Sequence, residues 1–139
     1  MRQASHALSI DARGRGCYEI TREVAAWVRD TGIRDGALTL FVQHTSCSLM
    51  IQENADPGVL RDMEAFLARL VPDGDPLFRH TAEGDDDMPA HVRMALTQVS
   101  LSIPVRAGAP ALGTWQGIFL YEHRRHPMRR RVLLHLIGD

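Results

Sequence analysis

Residues 101–137 read LSIPVRAGAPALGTWQGIFLYEHRRHPMRRRVLLHLI, and they contain three strand-like runs joined by short turns. Glycine and proline mark the turns, at Gly108–Gly113 and at His126-Pro127. The predicted strands are Leu101–Arg106, about Thr114–His123 and Arg131–Ile137. Consecutive strands that form hairpins pair in the antiparallel sense. The end of the chain therefore predicts a substantial antiparallel sheet.

Upstream of residue 101, apolar residues recur at helical spacing in three places. We predict Thr21 as the N-cap of the first helix, and Asp56 as the N-cap of the second, with Pro57 at its first helical position. Asp87, followed two residues later by Pro89, is typical of the start of a third. The predicted helices are Thr21 to Gly32, Pro57 to Leu70 and Asp87 to about Gln98.

Strands outnumber these helices. Further strands are predicted at residues 4–10, Cys17–Ile20, Ala37–Gln43 and about Ser48–Gln52. Such a mixture, closed by antiparallel strands, predicts the α+β class. No repeat or linker-like segment interrupts the chain, so residues 1–139 are predicted to form a single domain.

Composition excludes several kinds of chemistry. All 16 basic residues are arginine, so there is no lysine for a Schiff base, a P-loop or a general base. No apolar run is long enough to span a bilayer and no signal peptide is visible, so we expect a cytoplasmic protein without a membrane partner. Cys17 and Cys47 are expected to be free thiols. A pI of 6.6 and few aromatics among the arginines argue against a nucleic-acid partner.

Three of the seven histidines end or begin predicted elements, where a side chain can enter a cleft. They are His44, His91 and His123, and neutral imidazoles from separate segments are typical ligands of a catalytic metal. Their spacing matches no local metal motif. We expect His6, His126 and His135 to be structural.

An acidic run, Glu83 to Asp87, lies directly before the third predicted helix. One carboxylate there is expected as a cap, but three consecutive aspartates exceed that need. Either the run is a solvated loop or it holds a cation. Asp87 and His91, at positions i and i+4, are expected to meet on one face of the first turn.

Two polar segments offer substrate-binding groups. In His44-Thr-Ser-Cys-Ser48, hydroxyls and backbone amides could hold a phosphate, and Ser46 or Cys47 beside His44 could act as a nucleophile. Trp115, between Gly113 and Gly117, could stack on a heterocycle or belong to the core. Period-two alternation places Glu122 on the face opposite His123.

Together, the segments His44–Pro57, Glu83–His91 and Leu112–Arg124 resemble the motifs of the YjbQ family, in the expected order and over nearly the whole chain. Some members are named secondary thiamine-phosphate synthases. The resemblance implies one α+β domain with a largely antiparallel β-sandwich and about three helices, assembled as a homotrimer, with a polar pocket lined by motif residues. Gly58, Phe78 and Phe119 depart from the family pattern, where an acidic residue and two tyrosines are expected.

The predicted residue roles rest on this resemblance together with the residue chemistry given above. The predicted catalytic residues are His44, Asp86, Asp87, His91 and His123, of which the three histidines also hold a divalent metal, zinc or magnesium. The predicted substrate-binding residues are Ser46, Glu53, Asp56, Thr114, Trp115, Gln116 and Arg124.

The resemblance favours the first of three functions, and the other two remain open as alternatives. A transferase resembling thiamine-phosphate synthase would join a thiazole phosphate to a pyrimidine pyrophosphate and release pyrophosphate, as its main or a side activity. A metal-dependent hydrolase would act on another small phosphorylated or heterocyclic metabolite. A non-enzymatic trimer would simply bind a small anionic metabolite.

Overall fold

The computed structural model describes residues 1–139, and it confirms the predicted α+β class. The helices are α1 (Thr21–Thr31), α2 (Pro57–Leu70) and α3 (Asp87–Leu96). The strands are β1 (Arg2–Ala12), β2 (Gly16–Glu19), β3 (Gly36–Val42), β4 (Cys47–Glu53), β5 (Ser100–Arg106), β6 (Ala109–Pro110), β7 (Gln116–Glu122) and β8 (Met128–Gly138). None of the helices has the length and apolar character needed to cross a membrane.

Two antiparallel sheets make up the β-sandwich. The large sheet has five strands in the order β1-β8-β3-β5-β6, and the small sheet has three in the order β2-β7-β4. Strand β8 lies between β1 and β3, and it pairs with β1 along all of that strand, from Arg2 opposite Gly138 to Ala12 opposite Met128. The first and last strands of the chain are therefore direct neighbours.

The three closing strands are antiparallel, but they do not pair with one another as the hairpin prediction required. β5 pairs with β3 and β6, β8 pairs with β1 and β3, and β7 lies in the small sheet. The turn after β5 contains β6, which forms the local hairpin, and the chain then crosses to the other sheet. Residues 117–122 of β7 are all buried, so this strand needs cover on both faces.

The hydrophobic core lies between the two sheets. Alternate residues of β3, namely Leu38, Leu40 and Val42, are buried, as the period-two pattern predicts. They pack with Ile118 and Leu120 of β7 in one buried cluster. Val24 and Val28 of α1 belong to the same cluster, so α1 packs against the edge of this core.

Helices α2 and α3 cover the other face of the small sheet. Glu64 of α2 accepts a hydrogen bond from Tyr121 of β7, and Met63 accepts one from Gln52 of β4. Arg93 of α3 is fully buried and donates to Glu64. A polar layer therefore lies between the small sheet and these helices.

The helix ends confirm some of the predicted caps and boundaries and contradict others. Asp56 caps α2 through the Gly58 N–H, with Pro57 in the first turn, as predicted. Thr21 is not the N-cap of α1, because its hydroxyl accepts the Ile118 N–H of β7 instead. Helix α3 ends at Leu96 and not at Gln98, since the Gln98 carbonyl accepts the Leu49 N–H of β4.

Candidate metal centre

The first turn of α3 meets the start of β4 and the end of β7. Asp87 begins the helix and His91 lies one turn later, so both side chains lie on the same face. The Nδ1 atom of His91 is 2.6 Å from the Thr45 carbonyl oxygen, just before β4. Arg124, just after β7, contacts Asp87 from the other side. The first turn of α3 is therefore linked to two segments distant in sequence, to one through His91 and to the other through Asp87.

A His–Asp–His cluster forms here. The ligand atoms of His80, Asp87 and His91 all lie within 4.8 Å of one another. Asp87 Oδ2 is 2.7 Å from His80 Nε2 and 3.3 Å from His91 Nε2. Asp87 is buried, whereas the side chains of His80 and His91 are 51% and 30% exposed. The cluster is therefore anchored in the protein and open to solvent on the imidazole side.

The backbone fixes the tautomer of His91. A carbonyl oxygen only accepts hydrogen bonds, so the Nδ1 atom facing Thr45 must carry the proton. In the neutral ring, Nε2 then presents a lone pair to the Asp87 carboxylate, an arrangement that a cation between them stabilises. Metal-binding histidines commonly have this second hydrogen bond to a carbonyl. Two imidazole nitrogens and one carboxylate oxygen suit zinc better than magnesium, which prefers oxygen ligands.

Arg124 holds the acidic run in place. Its guanidinium donates to Asp87 Oδ1 at 2.8 Å, to Asp86 Oδ2 at 3.1 Å and to the Glu83 carbonyl at 2.9 Å. Burial alone would raise the pKa values of Asp86 and Asp87. For Asp86, the Arg125 N–H and the Arg124 guanidinium outweigh burial and lower its pKa. For Asp87, the His80 hydrogen bond, the charge that His91 carries when it is protonated and the charge of Arg124 outweigh burial and lower its pKa.

The three histidines predicted as one metal site do not come together in the chain. The Nε2 atom of His44 accepts the Arg131 backbone N–H at 2.8 Å. His123 is completely buried, with its Nε2 atom 2.8 Å from the Ser48 hydroxyl. Burial lowers the pKa of His44, and burial together with the Arg93 charge lowers that of His123 to about 3. His91 alone of the three belongs to the cluster, together with His80 and Asp87.

His80 was missed because it lies outside any helix or strand, where side-chain periodicity gives no information. Its only signal in the sequence is that it shortly precedes the acidic run, between Phe78 and Glu83. A cavity of about 250 Å³ adjoins it, lined also by Phe78, Asp85 and Met88. The loop before α3 therefore supplies both an imidazole of the cluster and a cavity beside it.

Ser46 is engaged by a buried ion pair. Its hydroxyl accepts a hydrogen bond from Arg130 at 2.8 Å, and Arg130 donates to the Glu122 carboxylate at 2.6 and 2.5 Å. Glu122 and His123 have different partners on the two faces of the small sheet, as alternation predicts. Burial raises the pKa of Cys47 to about 12, which leaves a protonated thiol, so neither Ser46 nor Cys47 is an activated nucleophile here.

The remaining predicted substrate-binding residues lie elsewhere. The β4–β7 ladder runs from Cys47 opposite Glu122 to Glu53 opposite Gln116, which places its two ends about 20 Å apart. The acidic run lies near the end formed by Cys47 and Glu122. The remaining predicted substrate-binding residues lie at the other end, formed by Glu53 and Gln116. That second group consists of Glu53, Asp56, Thr114, Trp115 and Gln116.

At this second end most polar groups have local structural roles. Glu53 accepts the Asp56 N–H, Asp56 caps α2, and Gln116 accepts the Gly113 N–H at 2.7 Å. Trp115 is 64% exposed and therefore not a core residue. Within one chain, the predicted pocket is divided into two groups of residues.

Comparison with known proteins gives a consistent result. A family model described as UPF0047 protein YjbQ-like matches residues 6–139. The UPF0047 protein sll1880 of Synechocystis sp. is 48% identical over 138 residues, covering 99% of this chain and 94% of the relative. The UPF0047 protein YjbQ of Escherichia coli O157:H7 is 43% identical over 133 residues, covering 95% and 96%.

Solved structures share the fold. The conserved hypothetical protein TT1486 from Thermus thermophilus superposes with a TM-score of 0.85 at 37% identity, covering 95% of this chain and 99% of that one. A YjbQ/UPF0047 protein from Clostridium acetobutylicum gives a TM-score of 0.80 at 33% identity, covering 96% and 99%.

Proposed function

The chain belongs to the UPF0047 family of YjbQ-like proteins, and from this premise and the geometry of the site we propose that it is a metal-dependent hydrolase of a small phosphorylated metabolite. The observation that carries the proposal is the cluster of His80, Asp87 and His91. Three protein ligands with an open side are typical of catalytic zinc, whereas structural zinc has four. When bound, such an ion polarises a phosphoryl oxygen and acidifies water.

The surrounding residues have supporting tasks. The Thr45 carbonyl holds the proton on His91 Nδ1 and so directs Nε2 toward the ion. Arg124 binds one oxygen of Asp87 and leaves the other for the ligand set. Arg79 is exposed beside His80, so it is available to anionic groups of a substrate, whereas the half-exposed Arg125 is paired with Asp85 of the acidic run.

Hydrolysis is favoured over group transfer because only water needs to approach the ion together with the substrate. A transferase resembling thiamine-phosphate synthase is the second candidate, and the exposure of Trp115 favours it, since an exposed indole can stack on a heterocycle. That reaction requires Trp115 and the metal cluster to bind the same substrate. Their separation within one chain means that Trp115 would have to come from another copy.

A homotrimer, implied by the sequence resemblance, is proposed as the assembly. The outer face of the large sheet supports it. Three rows of cross-strand neighbours on this face, each spanning four strands, contain no charged residue, although 24% of the chain is charged. Such depletion of charge is typical of the centre of an interface. The rows are Gln3, Ile137, Ala37 and Pro104; Ser5, His135, Thr39 and Ser102; and Ala7, Leu133, Phe41 and Ser100. We call this surface the uncharged face.

A cytoplasmic location is also proposed. It rests on the two free cysteines, Cys17 and Cys47, because unpaired thiols are usual in a reducing compartment.

Metal analysis of the purified protein tests the proposal. We expect about one zinc per chain, and a loss of zinc in His80→Ala, Asp87→Asn and His91→Ala. His44→Ala distinguishes the two ligand sets, since it keeps zinc if the cluster is correct and loses it if His44 is a ligand. His126→Ala, in an exposed turn, is the matched control. Wild-type protein that takes up no zinc after incubation with the ion would contradict the proposal.

The reaction class is tested on the zinc-loaded protein. Phosphate release from phosphomonoesters that is lost in His91→Ala supports hydrolysis. Formation of thiamine phosphate from its two precursors, lost in both His91→Ala and Trp115→Ala, supports transfer. A protein that binds zinc and a metabolite tightly but catalyses neither reaction would instead be a non-enzymatic binding protein.

A further inference from the structure

The polar layer between the small sheet and helices α2 and α3 contains a second cluster, which the metal centre does not use. Arg93 is fully buried, and its Nη1 atom donates to both carboxylate oxygens of Glu64, at 2.9 and 3.1 Å. The Tyr121 hydroxyl donates to the same carboxylate at 2.7 Å. The Tyr121 ring packs on the ring of His123, with centroids 4.5 Å apart. These residues form one continuous buried group.

Arg93 has two nitrogens without a partner. Its Nε and Nη2 atoms are buried and make no hydrogen bond. Their N–H groups point from the same edge of the planar guanidinium, and this fork binds carboxylate and phosphate oxygens in a bidentate manner. At this edge, burial removes the strong hydrogen bonds that the guanidinium makes with water. No protein group replaces them there.

His123 adds a further donor. The Ser48 hydroxyl is buried and has no partner other than His123 Nε2, so it satisfies its proton only by donating to that nitrogen. Burial and the Arg93 charge lower the pKa of His123 to about 3, so the ring is neutral near pH 7. Its single proton therefore lies on Nδ1, which is also buried without a partner.

We propose that this layer binds one small oxyanion, the carboxylate or phosphate group of a metabolite, through the free fork of Arg93 and the Nδ1–H of His123. All the unpartnered groups are donors. A water molecule that accepted from them would need acceptors for its own two protons, whereas an oxyanion needs none. The site is separate from the proposed metal chemistry and does not depend on it.

Partners of these two residues, but neither Arg93 nor His123 itself, line a cavity that offers room for the rest of the ligand. It has a volume of about 180 Å³, and its lining includes Ser48 and Tyr121, the direct partners of His123 and Glu64. Leu49, Met50 and Met63 contribute apolar surface to the same cavity. A small monocarboxylate with an apolar body matches this combination better than inorganic phosphate does.

Thermal denaturation of the whole protein tests the proposal. The midpoint is measured at constant pH and ionic strength while sodium chloride is replaced by sodium acetate or by sodium phosphate. We expect a saturable rise of roughly 4–6 °C at ten times the dissociation constant for at least one oxyanion. A response to acetate alone identifies a carboxylate site, and a response to phosphate alone identifies a phosphate site. A response to neither overturns the proposal.

Two variants locate the effect. Arg93→Lys keeps the charge but lacks the fork, so we expect it to lose the response. Arg106→Lys, exposed on β5, is the matched control and should keep it. An unchanged response in Arg93→Lys contradicts the proposal.

Wild-type protein gives an answer even if Arg93→Lys fails to fold. In ¹⁵N NMR spectra, the Nδ1–H signal of His123 should be present in the neutral ring and should shift when the stabilising oxyanion is added. A crystal structure from the same solution should show that anion on the Arg93 fork. A signal that does not shift, or a water molecule in place of the anion, would overturn the inference.

Discussion

The buried pair of Glu122 and Arg130 is an ionic contact whose loss should be costly. Glu122 is fully buried and the Arg130 side chain is only 3% exposed. Glu122→Gln leaves the guanidinium buried without a counter-charge, so we expect the free energy of unfolding to fall by about 3–5 kcal/mol. Denaturant titration measures this change. Asp11→Asn, which breaks the exposed pair with Arg129, is the control and should change stability little.

The two cysteines should be unreactive in the folded protein. Cys47 is buried and Cys17 is half-buried, and burial raises the pKa of each to about 12. Because the thiolate is the reactive form, a pKa raised from roughly 8.5 to 12 lowers its fraction at pH 8 by about three orders of magnitude. Labelling with a thiol reagent at pH 8 should therefore be far slower in native than in denatured protein. Equal rates would show that these thiols are accessible.

At the scale of elements, a variant at the N-terminus of α2 distinguishes a structural role of Asp56 from a functional one. Its carboxylate accepts the Gly58 N–H, and removal of such a cap costs about 1 kcal/mol. Asp56→Ala should therefore lower stability by that amount and leave the zinc content unchanged. Asp62→Ala, on the exposed side of the same helix, serves as the comparison. Loss of zinc in Asp56→Ala would show that this carboxylate, predicted to bind substrate, is needed at the proposed metal centre instead.

Sequence patterns predicted the positions of helices and strands better than they predicted which strands pair. The alternation of Leu38, Leu40 and Val42 and the Asp56-Pro57 start of α2 are local features, and both were found as predicted. Strand pairing depends on contacts far apart in sequence, so the hairpins expected among the closing strands did not form. Glycine at the C-cap of α1, Gly32 with φ of +75°, is again local and was also predicted as the helix end.

Prediction of the candidate site from the sequence was limited in the same way. Asp87 and His91 meet because their spacing is set by one helix turn, and the sequence predicted this contact. His44 and His123 each lie at a strand end, but strand ends do not reveal which way a side chain turns. His80 lies in a loop, where no periodicity restricts its position. Only the assembled fold selects among such residues.

For the whole molecule, the uncharged face leads to a prediction about assembly. Phe41 is 43% exposed near one edge of that face. Phe41→Glu introduces a charge that an interface cannot bury without a partner, so we expect the proposed trimer to dissociate to smaller species. Light scattering after size-exclusion chromatography measures the mass. Phe66→Glu, on exposed α2 surface, is the control, and a trimer that survives Phe41→Glu would exclude this face as the interface.

The position of β8 also determines when the protein can fold during synthesis. When β8 leaves the ribosome, every other helix and strand has already been made, yet β1 has no other partner and β3 still lacks one. Until then, β3 presents an open hydrogen-bonding edge beside unfinished core, a state that invites aggregation. Assembly of the large sheet is thus a late event, and nascent chains that stall before residue 128 are expected to need chaperones.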